Sequence, residues 1–193
     1  MSLPRWVGGL SAAALLAVSA VAVATAPDNA AVTAPFPISG PMGEAVTARA
    51  LVVTVHSVEL TEKLDVDYRD IPAIGTDGVW VVVDTTIESR LGLLGLSYAE
   101  LWIDDVHYRV SDALPAPTPL LVTWGSGVPQ RGSLVFELPR DALDAGGASR
   151  ASIVFLHRLD ASLDSVPVVA VDLTTLDVSP SVTLAEPKPV DNE

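Results

Sequence analysis

The chain has 193 residues, with 24 acidic against 11 basic side chains, a formal net charge of −13 and no cysteine. Such a charge opposes nucleic acid and anionic lipid surfaces as partners, because both would repel it. The missing cysteines exclude a disulfide framework, iron–sulfur clusters, Cys-ligated zinc and thiol catalysis, so a packed core must hold the fold.

After Arg5 comes a run from Trp6 to Ala26 without a charge, rich in Ala and Gly. Its ~21 residues make a helix of roughly 31 Å, enough to cross a bilayer core. Two readings of residues 1–26 stand. A cleavable signal needs an apolar stretch of only ~7–15 residues, so length points to a retained anchor. Composition points to cleavage, with A-x-A sites ending at Ala24 and Ala26, of which Ala24 avoids the Pro27 that follows the other. We take retention first: a single-pass cell-membrane protein, N-terminus inside on the vote of Arg5, with its domain on the extracytoplasmic side. The alternative is a secreted domain. In a retained helix, the small residues Gly9, Ala13 and Ala17 form a face against which a membrane protein partner packs. No cysteine follows the run, which excludes a lipoprotein.

Residues 27–43 carry four prolines and two glycines and predict an extended linker. Residues 44–176 then read as strands. Val46 to Leu60 places Val53, Val55 and Val58 in a core. After the turn at Thr76-Asp77-Gly78, the run Val79 to Ile87 turns Val79, Val81, Val83, Thr85 and Ile87 inward and Trp80, Val82, Asp84, Thr86 and Glu88 outward. Leu101–Ile103 and Val106–Val110 form a hairpin across Asp104-Asp105 without the usual glycine. Ser133–Leu138 alternates with Leu134, Phe136 and Leu138 on one face, and Pro139 stops it. Arg140–Gly147 reads as a loop or one helical turn, and Ala151–His157 and Val168–Leu173 add two strands. Residues 177–193 read as a Pro-rich acidic tail with a short strand near Ser181–Leu184. Seven or so short strands with frequent turns predict an all-β, antiparallel β-sandwich behind one N-terminal hydrophobic helix.

The segments Gly43–Val46 with Leu51–Val55, Asp77–Ile87 and Gly127–Pro139 together resemble an actinobacterial family of exported domains of unknown function. That family has the immunoglobulin-like fold first seen in a small secreted mycobacterial antigen. The resemblance covers about residues 40–175. It implies an immunoglobulin-like sandwich acting as an extracytoplasmic binding or accessory module, and it supplies no active site to carry over.

No residue pattern points to catalysis. His56, His107 and His157 lie on separate predicted strands with no H-x-H or H-E-x-x-H spacing, and read as polar-face residues rather than zinc ligands. Asp65, Asp67 and Asp70 are close in sequence, yet the EF-hand glycine and terminal glutamate are missing and Arg69 offsets their charge. Gly125-Ser126-Gly127 is not a nucleophile elbow. Trp80, Val82, Trp102 and Trp124 remain as a candidate partner surface, with core packing the competing reading. The chain therefore reads as a non-enzymatic accessory module of a membrane complex such as a transporter, or alternatively as a free secreted binder of a small ligand, glycan or host protein. No cofactor and no metal are expected, nor, in the first reading, a small-molecule ligand. Chelation by EDTA should leave the melting midpoint unchanged. A fall of several degrees would show that a bound cation stabilises the native state.

Overall fold

The computed structural model of the chain describes residues 15–21, 23–25, 33–66, 71–92, 94–112, 114–115, 118–120, 123–184 and 186–190. It divides into two compact units, residues 1–34 and 35–193. In the first, residues 15–21 and 23–25 are helical and exposed. Among the described residues no helix is long and apolar enough to cross a membrane, so the anchor expected over residues 6–26 is not shown. Gly9 and Ala13 lie outside the described residues, and Ala17 is exposed on the helical stretch.

The second unit is a β-sandwich. Its described strands are β1 (Phe36–Gly40), β2 (Val46–Thr47), β3 (Leu51–Val66), β4 (Ile74–Ser89), β5 (Leu94–Gly95), β6 (Tyr98–Ile103), β7 (Val106–Arg109), β8 (Thr123–Trp124), β9 (Gln130–Leu138), β10 (Ala151–Leu156), β11 (Ser165–Val171), β12 (Val178–Ser179), β13 (Val182–Leu184) and β14 (Lys188–Pro189). One sheet has the order β1-β11-β10-β6-β7. The other runs β12-β3-β4-β9-β14, with β2 and β13 also on β3, and β5 pairs with β8 apart from both.

The alternation read from sequence sets the register. Val79, Val81, Val83, Thr85 and Ile87 of β4 are all buried, opposite Leu138, Phe136 and Leu134 of β9. From the facing sheet Leu101, Ile103, Ile153, Phe155, Val169 and Val171 complete a single core. Thr85 is admitted because its hydroxyl donates to the Thr54 carbonyl at 3.0 Å. In β3 the apolar period jumps from Val53 and Val55 to Val58 and Leu60. A register shift between Val55 and Ser57 takes up the extra residue, His56, and keeps all four on the core side. The β6–β7 hairpin turns at Asp104 with φ 50°, the left-handed conformation that aspartate tolerates better than most residues. Arg140–Leu143 and Ala148–Arg150 are short 3₁₀ turns.

Two segments differ from expectation. Phe36–Gly40, expected within the linker, is strand β1, parallel to β11 from Phe36 beside Ser165 to Gly40 beside Val169. Pro37 lacks a donor, which an edge strand tolerates. The expected tail at residues 177–193 is structural too: β12 and β13 lie parallel on β3, while β14 pairs antiparallel with β9. Because β4 lies between β3 and β9, the chain from β13 to β14 passes over the outer face of the sheet. Gly132 marks how close that strap comes: a Cβ there would meet Pro119 Cγ at 2.8 Å and Pro187 Cβ at 3.2 Å.

The strap has a physical cause. Trp80 and Val82 do face outward on β4, as the alternation requires, but with Leu64, Val66 and Val135 they make that face too apolar to leave wet. Leu184 covers it, and Ile71, Ile74, Leu114 and Val182 pack at its margin, leaving Trp80 and Val82 each only 4% exposed. Phe136→Ala should cost about 3–5 kcal/mol, as large core truncations do. Urea denaturation reads this directly, and a loss below about 1 kcal/mol would mean that the register is wrong.

Candidate functional site

Where the apolar cluster ends, the outer face of the seven-stranded sheet turns polar. Ser57 pairs across to Asp84, Asp84 to Ser133, and Thr86 to Arg131. These positions and the strap enclose a cleft of about 350 Å³, lined by Ser57, Glu59, Asp84, Arg131, Ser133 and, from the strap, Thr183, Glu186 and Lys188. Arg131 grips Asp84 through Nε at 3.1–3.2 Å and Nη2 at 2.5 Å, a two-pronged pair that fixes both side chains. The Asp84 hydrogen bond and charge push the guanidinium pKa further up, so it stays cationic. Among the described residues Glu59, Glu186 and Lys188 form no ion pair. The cleft thus offers free donors and acceptors around a neutralised, rigid centre.

The candidate partner surface does not assemble. Trp80 and Val82 lie in the outer-face core beneath the strap and are not free for a partner. Trp102 is half-buried on the other sheet, stacked on His107 with ring centroids 4.4 Å apart, and its Nε1 donates to Glu100 at 2.6 Å. Trp124 pairs its backbone with Leu94 in the small sheet, and its side chain lies outside the described part.

The histidines are dispersed, each with its own partner. His56 Nε2 shares a hydrogen bond with Thr86 Oγ1 at 2.8 Å, and His107 Nδ1 is 3.6 Å from Glu100. Asp67, Arg69 and Asp70 lie outside the described residues. Among those described, no three His, Asp or Glu side chains are placed to hold a metal ion.

His157 belongs to a charged hub that sequence reasoning missed. Asp164 has a fully buried side chain, yet Arg49 Nε reaches it at 2.9 Å, Arg158 at 3.3 Å and His157 Nε2 at 3.5 Å. The Ser165 N–H also donates to it, and the Asp164 carbonyl accepts from the Phe36 N–H. Asp164 therefore ties the β10–β11 loop to the turn before β3 through its carboxylate and to β1 through its backbone carbonyl. No local pattern signals it, since Arg49 lies 115 residues from Asp164.

No protein-family model matches the sequence. No curated protein matches it either. Among solved structures, the chain is similar to an uncharacterized β-sandwich protein from Clostridium difficile, at 10% identity over 72% of this chain and 95% of that one, TM-score 0.45. It is similar to the yjhA protein from Bacillus subtilis at 17% identity over 67% and 98%, TM-score 0.46. It is also similar to the secreted protein MPT63 from Mycobacterium tuberculosis at 15% identity over 70% and 98%, TM-score 0.48.

Burial lowers the His157 pKa from its ordinary value; Asp164 opposes the shift, and the Arg158 and Arg49 charges add to it. The folded state therefore holds a neutral imidazole, while the unfolded chain takes up a proton near pH ~6.5. Stability from this site is complete above that pH and is lost as pH falls through it. The melting midpoint should drop between about pH 7.5 and pH 5.5, and His157→Gln should flatten that part of the profile. An unchanged slope in the variant would remove His157 as the cause.

Proposed function

We propose that the chain is an exported, non-catalytic binding module of immunoglobulin-like type, whose cleft beneath the strap takes a small polar ligand. The cleft carries this reading: about 350 Å³, lined by residues from three separate strands and the strap, within the ~300–1,000 Å³ range of small-molecule sites. Its ionisable lining is three carboxylates against two cations, with three hydroxyls beside them. That balance favours a neutral or cationic ligand rich in hydroxyl or amino groups, such as a sugar or an amino sugar. No linear motif encodes such a site; the cleft exists only once β3, β4, β9 and the strap are assembled.

Export is read from the charge-free run Trp6–Ala26. A second reading keeps that run as an anchor and makes the module an accessory subunit of an envelope membrane complex such as a transporter. The length of the run favours it, at ~21 residues where ~7–15 serve a cleaved signal.

Cell fractionation separates the two readings. Protein in the culture medium beginning at Thr25 supports the free module, full-length protein in the membrane pellet supports the tethered one, and cytosolic protein overturns export altogether. Calorimetric titration with glucose and glucosamine tests the cleft. Binding should weaken about tenfold or more in Lys188→Gln and in Asp84→Asn. No heat from either sugar at up to about 10 mM would overturn the ligand reading.

A further inference from the structure

A second, smaller pocket lies where β6 and β7 meet the segment that follows them. It has about 170 Å³ and is lined by Ser97, Tyr98, Arg109, Val110, Asp112 and Leu120. Val110 and Leu120 are buried and give it an apolar floor. Ser97 is already committed, its hydroxyl donating to the His157 carbonyl at 2.6 Å. The Tyr98 hydroxyl oxygen is buried and makes no well-formed hydrogen bond, a costly state for a group that in water would both donate and accept; burial and the nearby Glu100 carboxylate raise its pKa.

Arg109 is free for a reason visible in the register. Its cross-strand partner is Glu100, the natural site for an ion pair. The Glu100 carboxylate is taken instead by the Trp102 indole N–H at 2.6 Å, with His107 at 3.6 Å. The guanidinium is left over the Tyr98 ring, 5.2 Å from its centroid, without a carboxylate. A cation over an aromatic face keeps its N–H donors available at its edge. Asp112, three residues further on, is exposed and forms no ion pair among the described residues.

We infer that this pocket binds a small α-amino acid as its zwitterion. Arg109 and the Tyr98 hydroxyl receive the carboxylate, Asp112 receives the ammonium group, and a short side chain lies on Val110 and Leu120. One guanidinium and one carboxylate give the lining no net charge, which suits a zwitterion better than a simple anion or cation. The inference does not depend on the strap cleft, which shares none of these residues.

The test is calorimetric titration of the full-length protein with alanine, and with acetate and ethylammonium as its two halves. Alanine should bind, and each half at least about tenfold more weakly. Arg109→Gln should abolish alanine binding, while Arg131→Gln, in the other cleft, should not change it. Asp112→Asn should weaken alanine and leave acetate untouched. Tyr98→Phe should weaken alanine about tenfold. Failure of alanine to bind at about 10 mM overturns the inference, as does acetate binding as tightly as alanine or full affinity in Tyr98→Phe and Arg109→Gln.

Discussion

The need to bury β4 on both faces organises this protein. A strand in a two-layer sandwich usually hides one side and wets the other, and its sequence alternates accordingly. Val79 to Val83 has no polar residue in five, and all five side chains are buried. At ~25 cal/mol per Å² of apolar surface, exposing Trp80, Val82 and their neighbours would cost several kcal/mol, a large part of a domain's net stability. The C-terminal segment removes that cost by crossing the sheet. In crossing it leaves the polar half of the same face roofed but unfilled, so the strap that completes the core also makes the cleft.

Electrostatics divides the molecule in a complementary way. The chain is acidic overall, yet around Asp164 two arginines and a histidine converge on one carboxylate. A buried carboxylate is tolerable only with such company, and removing one partner leaves a charge stranded in a medium that solvates it poorly. The two arginines are themselves largely solvated, so the hub fixes geometry more than it adds net stability. What it fixes is the junction of β1, the β2–β3 turn and the β10–β11 loop. At the strap cleft and the Tyr98 pocket several charges are instead unpaired.

Much of the sandwich was legible because strand period and burial coincide. The inward set Val81, Val83, Leu134 and Phe136 followed from alternation alone, and Val53, Val55 and Val58 were placed in the core, although the bulge that puts Val58 there was not read. The strand at Phe36–Gly40 was not legible, because Pro35 and Pro37 mask it and its partner is far along the chain. The strap was only partly legible: the short strand expected at Ser181–Leu184 is β13, but β12 and β14 are two residues long, too short to show a period. The alternation gave the correct direction for Trp80 but could not say what lay above it. Neither cleft was legible, since Tyr98, Arg109 and Asp112, like Asp84, Arg131 and Lys188, become neighbours only through tertiary pairing.

The placement of β1 has a consequence for how the fold is reached. A ribosome delivers β1 early, but β11, its one sheet partner among the described residues, is delivered more than a hundred residues later. The strap's strands come later still, although β3, which they flank, is complete early. At ~5–20 residues per second, the wait is seconds or more, and closing such distant pairs makes folding slow in any case. Over that interval the outer face bearing Trp80 stays uncovered and the β11 edge does not yet exist. A nascent chain of this design is sticky until the strap emerges, and a holding chaperone has most to gain by binding it in that window.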